Sequence, residues 1–255
     1  NQPRLRENIL SMVQSQVERL GEGLAGAENP AERDLAGLHA ALGAIFPLPL
    51  ALSVQAWQPL AQRQIIDQVL DFAESYYDQR AAENGQELWG RFASEGVTLA
   101  GLAQSNEPFS AVVYLAIRRQ LQAEPAEEIA RLPLRELPAE LQPAVLAGLS
   151  DGAALYRDRL VMLQAVDARW VRHLTDLDSL REGIGLRAFA QENPLVSYKR
   201  EAHAMYVDLT EAIENDIVHA IYKVSVASRA QQPAQRAIQT NRDGGNGAER
   251  RPQRR

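Results

Sequence analysis

Cysteine is missing from this 255-residue chain. Disulfides, thiolate catalysis and Cys-ligated zinc are thereby excluded for it. Aromatic residues are sparse, at 6%. Lysine occurs only at Lys199 and Lys223, and neither follows a glycine. The Gly-Lys of a phosphate-binding loop is therefore absent, and the chain alone is expected to hold no nucleotide and no cofactor. No apolar run approaches the roughly 18 residues that signal a membrane span. The run Phe46-Pro-Leu-Pro-Leu50 is short and broken by proline, which suits a loop packed on a core. No secretory leader is read in residues 1–20, which form a charged amphipathic stretch. The first residue is Asn1, as expected for a processed chain or a piece of a longer protein.

Apolar residues make up 45% of the chain, enough for one or two domains with a sizeable core. Ala, Leu, Gln, Glu and Arg are abundant and β-branched runs are rare, so the composition favours helix. The net charge is −6, unevenly spread. Residues 229–255 carry seven arginines against Asp243 and Glu249, a net +5, which leaves −11 for the remainder. An acidic body argues against nucleic acid as the main partner. The arginine-rich end has the composition of a disordered tail. It would attract polyanions such as anionic lipid or the ribosome without selecting among them.

Hydrophobic periodicity predicts an all-α protein. A narrow stripe of Leu5, Ile9, Met12, Val13, Val17 and Leu20 marks a first helix over 4–20, ended by Gly21, Gly23 and Gly26. Further helices are expected over 31–45 and 60–91, the second with a break at Asn84-Gly85. Residues 94–152 are punctuated by Gly and Pro. One helix is expected there, over 108–122, with a strand at 112–114 as the alternative. A long helix over 154–182 carries Tyr156, Leu160, Leu163, Val166, Trp170, Leu174, Leu177 and Leu180 at near-heptad spacing. Gly183 and Gly185 end it. Asn193 and Pro194 supply the cap and first position of a second long helix, over 194–227, with Met205, Leu209, Ile213 and Ile217 on one face. Two matched stripes and a short loop imply an antiparallel hairpin packed through Leu163, Trp170, Leu174 and Leu177 against Met205, Leu209, Ile213 and Ile217. The expected order is thus 1–24, a first helix; 25–153, a helical region with an insertion at about 94–152; 154–227, the hairpin; and 228–255, the tail.

Few motifs carry chemistry. Gly148-Leu-Ser-Asp-Gly152 matches the nucleophile elbow of serine hydrolases, but no convincing strand precedes it. A turn capped by Ser150 or Asp151 is the simpler reading. His39, His173, His203 and His219 are scattered, without metal-ligand spacing, and no metal site is expected. Carboxylates along the second long helix (Glu201, Asp208, Glu211, Glu214, Asp216) read as a solvated face. Ile184, Leu186 and Phe189, with Arg187 and Gln191, form an apolar loop tip between long helices, and an exposed apolar tip implies a partner.

The runs Val161-Met-Leu-Gln-Ala-Val-Asp-Ala-Arg-Trp-Val-Arg-His-Leu174, Leu180-Arg-Glu-Gly-Ile-Gly-Leu-Arg187 and Ala190-Gln-Glu-Asn-Pro-Leu-Val-Ser-Tyr-Lys-Arg-Glu201 resemble the helical scaffold and two-helix finger of the SecA preprotein translocase family. The likeness is dense over 155–226 and looser over 60–93. Over 4–20, Leu5-Arg-Glu-Asn-Ile-Leu10 is similar to the end of the long scaffold helix before the helical wing. The resemblance implies the C-terminal part of an ATP-driven motor. Its ATP, magnesium and missing motor domains would lie outside this chain. It implies that the tip (Ile184, Leu186, Arg187, Phe189, Gln191) meets the SecY channel complex and the unfolded preprotein. It also implies a place in the cytoplasm, peripheral on the cytoplasmic face of the bacterial membrane. Phe189 stands where the family usually has Tyr, and Ala188 where it usually has Gly. The Cys-rich zinc end of many members is replaced by the arginine tail, so chaperone docking through zinc is not implied. A stand-alone helical adaptor without motor activity is the alternative, and a hydrolase using Ser150 a further one.

Overall fold

In the computed structural model, which describes residues 2–122, 124–184 and 193–226, α1 (Gln2–Ala25) buries Ile9, Val13 and Val17 on one stripe, as the i, i+4 spacing predicts. The helix does not stop at Gly21 but runs on to Ala25. Gly21 is buried, and a methyl there would stand 2.7 Å from Ile66 Cδ1. Gly21 thus sits within α1, against Ile66 of the next long helix, rather than at the helix end.

Asp34 caps α2 (Leu35–Gly43), accepting from the Gly37 N–H at 2.8 Å. The proline-broken segment then folds onto the core. Phe46 is buried and meets Phe72 and Tyr222 edge-on, while Leu50 is 94% exposed. A one-turn α3 (Val54–Trp57) buries Trp57 beside His39.

The helix α4 (Gln62–Glu95) is unbroken, spanning about 51 Å at 1.5 Å per residue. Asn84-Gly85 lies inside it. A methyl on Gly85 would collide with Ser150 of a neighbouring helix, so the glycine serves a close approach rather than a turn. Gly96 ends the helix with φ of 67°, a left-handed position suited to glycine.

Residues 97–141 are more regular than their punctuation suggests. They form α5 (Leu99–Gln104), α6 (Pro108–Leu121) and α7 (Glu127–Ala130), with a 3₁₀ turn at Leu134–Glu136. The 112–114 run is helix, within α6. Among the described residues there is no strand; one antiparallel bridge joins Thr98 and Pro133.

Two helices complete the chain, α8 (Gln142–Gly183) and α9 (Pro194–Ile221). The first starts twelve residues before the predicted position 154. The boundary drawn at 153/154 therefore falls inside one helix, and Gly148-Leu-Ser-Asp-Gly152 is helix interior rather than a turn. Methyls added to Gly148 and Gly152 would stand 2.4 Å from Ile117 Cα and 2.7 Å from Val113 Cα. Small residues at i and i+4 let the backbones of α6 and α8 nearly touch.

Two apolar cores result. The first joins α1, α2, α3, the start of α4, the middle of α8 and the end of α9, around Ile9, Leu38, Trp57, Ile65 and Ile217. The second joins the end of α4, α5, α6 and the start of α8, around Leu88, Leu99, Ile117, Leu134 and Leu149. Each such aliphatic side chain, fully buried, stabilises by about 1.5–3 kcal/mol. Both α4 and α8 run through both cores and tie them together.

Candidate functional site

The hairpin of α8 and α9 is held by a seam that differs from the predicted one. On α9, Leu209 and Ile217 are buried, and Met205 and Ile213 are half-buried. On α8, however, Leu163, Trp170 and Leu174 are 51%, 45% and 46% exposed, and Leu177 is half-buried. The inward residues are Val161, Ala165 and His173. The seam lies about one residue, or roughly 100°, around the helix from the heptad stripe. One helix cannot aim a single stripe at α4, α6 and α9 together. Its root faces inward through Val145, Leu149, Ala153 and Val161, and the seam with α9 continues that line.

The seam is partly polar. Arg169 donates from Nε and Nη2 to the two carboxylate oxygens of Asp216, at 2.6 and 2.7 Å. These hydrogen bonds hold the Asp216 carboxyl below its ordinary range. His173 sits beside Trp170, with ring centroids 5.8 Å apart. The sequence reading puts Asp216 on a solvated face and gives Arg169 and His173 no place in the seam, because apolar spacing carries no information about polar seam positions.

Apolar side chains left outside form a stripe along α8, of Leu163, Val166, Trp170, Val171 and Leu174. On α9, Leu195, Val196, Tyr206 and Val207 are also exposed. Much of the heptad that was expected to close the hairpin thus stays about half exposed.

Below the hairpin lies a buried polar cluster. Arg157, Asp158 and Tyr77 are 1%, 2% and 2% exposed. Arg157 donates to Asp158 Oδ1 from Nε and Nη2 at 3.1 and 2.9 Å, and the Tyr77 hydroxyl donates to Asp158 Oδ2. The Arg157 guanidinium also lies over the Tyr77 ring, 4.5 Å from its centroid. Burial pushes both the Asp158 carboxyl and the Tyr77 phenol up, while Arg157 opposes both shifts. At the rim, Arg6 of α1 pairs with Glu74 and Asp78 of α4. The cluster thus fixes α8 to α4, and its rim ties α4 to α1.

At the tip, Ile184 caps α8, its N–H bonded to the Leu180 carbonyl. Asn193 Oδ1 accepts from the N–H groups of Leu195 and Val196 at 3.0 and 3.4 Å, with Pro194 next, as predicted. Leu186, Arg187, Phe189 and Gln191 lie outside the described residues.

Ser150 is not presented for catalysis. It sits within α8 and donates to the Leu146 carbonyl at 3.0 Å, beside Gly85 of α4. Among the described residues, no group of three or more His, Asp or Glu side chains is placed to hold a metal ion. Among them also, no helix is long and apolar enough to cross a membrane.

The family model of the SecA wing and scaffold domain matches residues 1–225. A protein translocase subunit SecA of Dehalococcoides mccartyi is 27% identical over 223 residues, 87% of this chain and 16% of that protein. Protein translocase subunit SecA 1 of Bordetella avium is 26% identical over 227 residues, covering 88% of this chain and 18% of its own length. The protein translocase subunit SecA of Pelotomaculum thermopropionicum is 44% identical over a shorter 85 residues, 33% of this chain and 10% of that protein. This chain thus spans less than a fifth of the length of these relatives. No solved structure matches it.

Proposed function

The chain belongs to the SecA wing and scaffold family, and on that premise we propose that it is the scaffold and finger portion of a SecA motor that moves preproteins through the SecY channel. The α8–α9 hairpin is the finger. Its tip, from Ile184 through Leu186, Arg187, Phe189 and Gln191, meets the channel mouth and the unfolded preprotein. The exposed stripe of α8 is where the other domains of the motor seat. Nucleotide and magnesium are held by those domains, and this portion contributes stiffness and reach. The motor works on the cytoplasmic face of the membrane. Anionic lipid or the ribosome are candidate contacts of the arginine-rich end.

One observation carries the reading. A 42-residue helix runs without a break from a buried root to a capped end, paired with a 28-residue return helix. At about 1.5 Å per residue that helix is a rod of roughly 63 Å. Bending it would break backbone hydrogen bonds, so motion at the root is delivered at the tip.

The test is Phe189→Asp in a full-length SecA protein that carries this segment. The expected result is preprotein transport reduced at least tenfold, with nucleotide binding unchanged. Unaltered transport would count against the tip's role and in favour of a helical adaptor without motor function.

A further inference from the structure

Residues 97–141 pack chiefly on α8 at the hairpin's root, and they share a core with Val226 of the chain that leaves α9. On α8 the grip is backbone to backbone. Gly148 and Gly152 admit Ile117 and Val113 so closely that a methyl at either glycine would stand less than 3 Å from an α6 Cα atom. Gln120 of α6 also donates to Asp151 of α8 at 2.6 Å. On the other side, the chain leaving α9 forms a strap over residues 222–226. Tyr222 is buried in the first core, and its hydroxyl donates to the Ala73 carbonyl at 3.1 Å. Ser225 donates to Asn84 Oδ1 at 3.2 Å, and Val226 is buried in the second core with Leu88 and Ile117. The same small core therefore takes in the start of the outgoing helix and the segment that follows the returning one.

We propose that residues 97–141 are a brace that sets the direction of the α8–α9 hairpin. They are an accessory part of the machine acting on the finger's angle, not a separate binding module. Leverage makes the placement effective. Asp178 lies 26 residues beyond Gly152 on one helix, about 39 Å at 1.5 Å per residue, so a tilt of about 5° at the root moves it about 3 Å. Close-packed backbones resist such a tilt because they have no side-chain freedom with which to yield. The effect on transport rests on the finger reading. The effect on hairpin geometry does not.

The chain has no native cysteine, so spin labels attach only where cysteines are introduced. Exposed Asp178→Cys near the tip of α8 and exposed Gln68→Cys on α4 provide the pair. Their distance distribution is measured in the full chain, in the parent and with Ile117→Ala, which opens a cavity at the α6–α8 contact. Leu38→Ala, in the first core away from the brace, is the control for lost stability alone. The brace predicts a distribution at least twofold broader, or displaced by several ångströms, for Ile117→Ala, and an unaltered one for Leu38→Ala. Should Ile117→Ala fail to fold, Val226→Ala, which leaves α6 intact, carries the same expectation. An unaltered distribution with a lowered melting temperature would overturn the proposal. So would equal broadening in the Leu38→Ala control. Because the readout is a distance, a negative result for Phe189→Asp in transport leaves this test standing.

Discussion

Gly148 and Gly152 show how a residue pattern can carry the wrong chemistry. Two glycines flanking a serine match a hydrolase signature, yet what they provide here is absence of bulk. The physical requirement is space for the α6 backbone, and Ser150 points into the same crowded layer, toward Gly85. A methyl at Gly152 would lie 2.7 Å from Val113 Cα, so something must shift. Gly152→Ala is therefore expected to destabilise the chain by about 1–3 kcal/mol, despite alanine's better helix propensity. Thermal or urea unfolding checks this, and a stabilised variant would refute the close approach. Arg157, Asp158 and Tyr77 were unreadable for a related reason. A buried charge is recognised by its partners, and Tyr77 and Asp158 are 81 positions apart.

Elements were legible where their signals were local. Asn193-Pro194 starts α9 through cap geometry that the sequence displays, whereas Asp34 before α2 and Gly96 after α4 set boundaries that apolar periodicity places at 31 and 91. The paired long helices followed from stripe length and a short connection. The start of α8 did not, because its first turns carry Gly148, Gly152 and Pro143, which punctuate a sequence unless tertiary packing demands them. The seam was misjudged by one residue for a similar reason: periodicity finds a stripe but not which neighbour receives it. The corrected seam gives a pH prediction. Asp216 is held below its ordinary carboxylate range by Arg169. Its stabilising contribution is therefore present above the unfolded value, about 3.9, and is lost as pH falls through the lower folded value. Both side chains are about one-third exposed, so the pair is worth only about 0.2–1 kcal/mol. Asp216→Asn should lower stability by that amount at pH 7 and by less as the pH is brought down toward 2. Urea unfolding at the two pH values would show this, and a difference that grew on acidification would contradict the sign.

For the whole molecule, the informative feature is an apolar stripe on α8 that stands exposed among the described residues. Trp170, Val171 and Leu174 stand between 45% and 67% exposed along one stretch of the longest helix. Isolated exposed apolar residues are ordinary, but a contiguous row on a rod marks an interface. Trp170→Asp should therefore change the stability of this chain by less than about 0.5 kcal/mol. The same substitution in a full-length SecA protein should weaken seating of the other domains, seen as faster proteolysis at their junctions. Loss of stability in the chain by itself would show that Trp170 serves the hairpin after all. The all-α architecture and the family were both legible in the residues. The two-core layout was not, because it depends on α4 and α8 crossing between layers.

The most direct measurement places a photocrosslinking amino acid at position 189 of a full-length SecA protein carrying this segment, with a preprotein arrested in the SecY channel. The account predicts crosslinks to the preprotein and to the channel that disappear when the arrested chain is released. Crosslinks confined to the protein's own helices would contradict it.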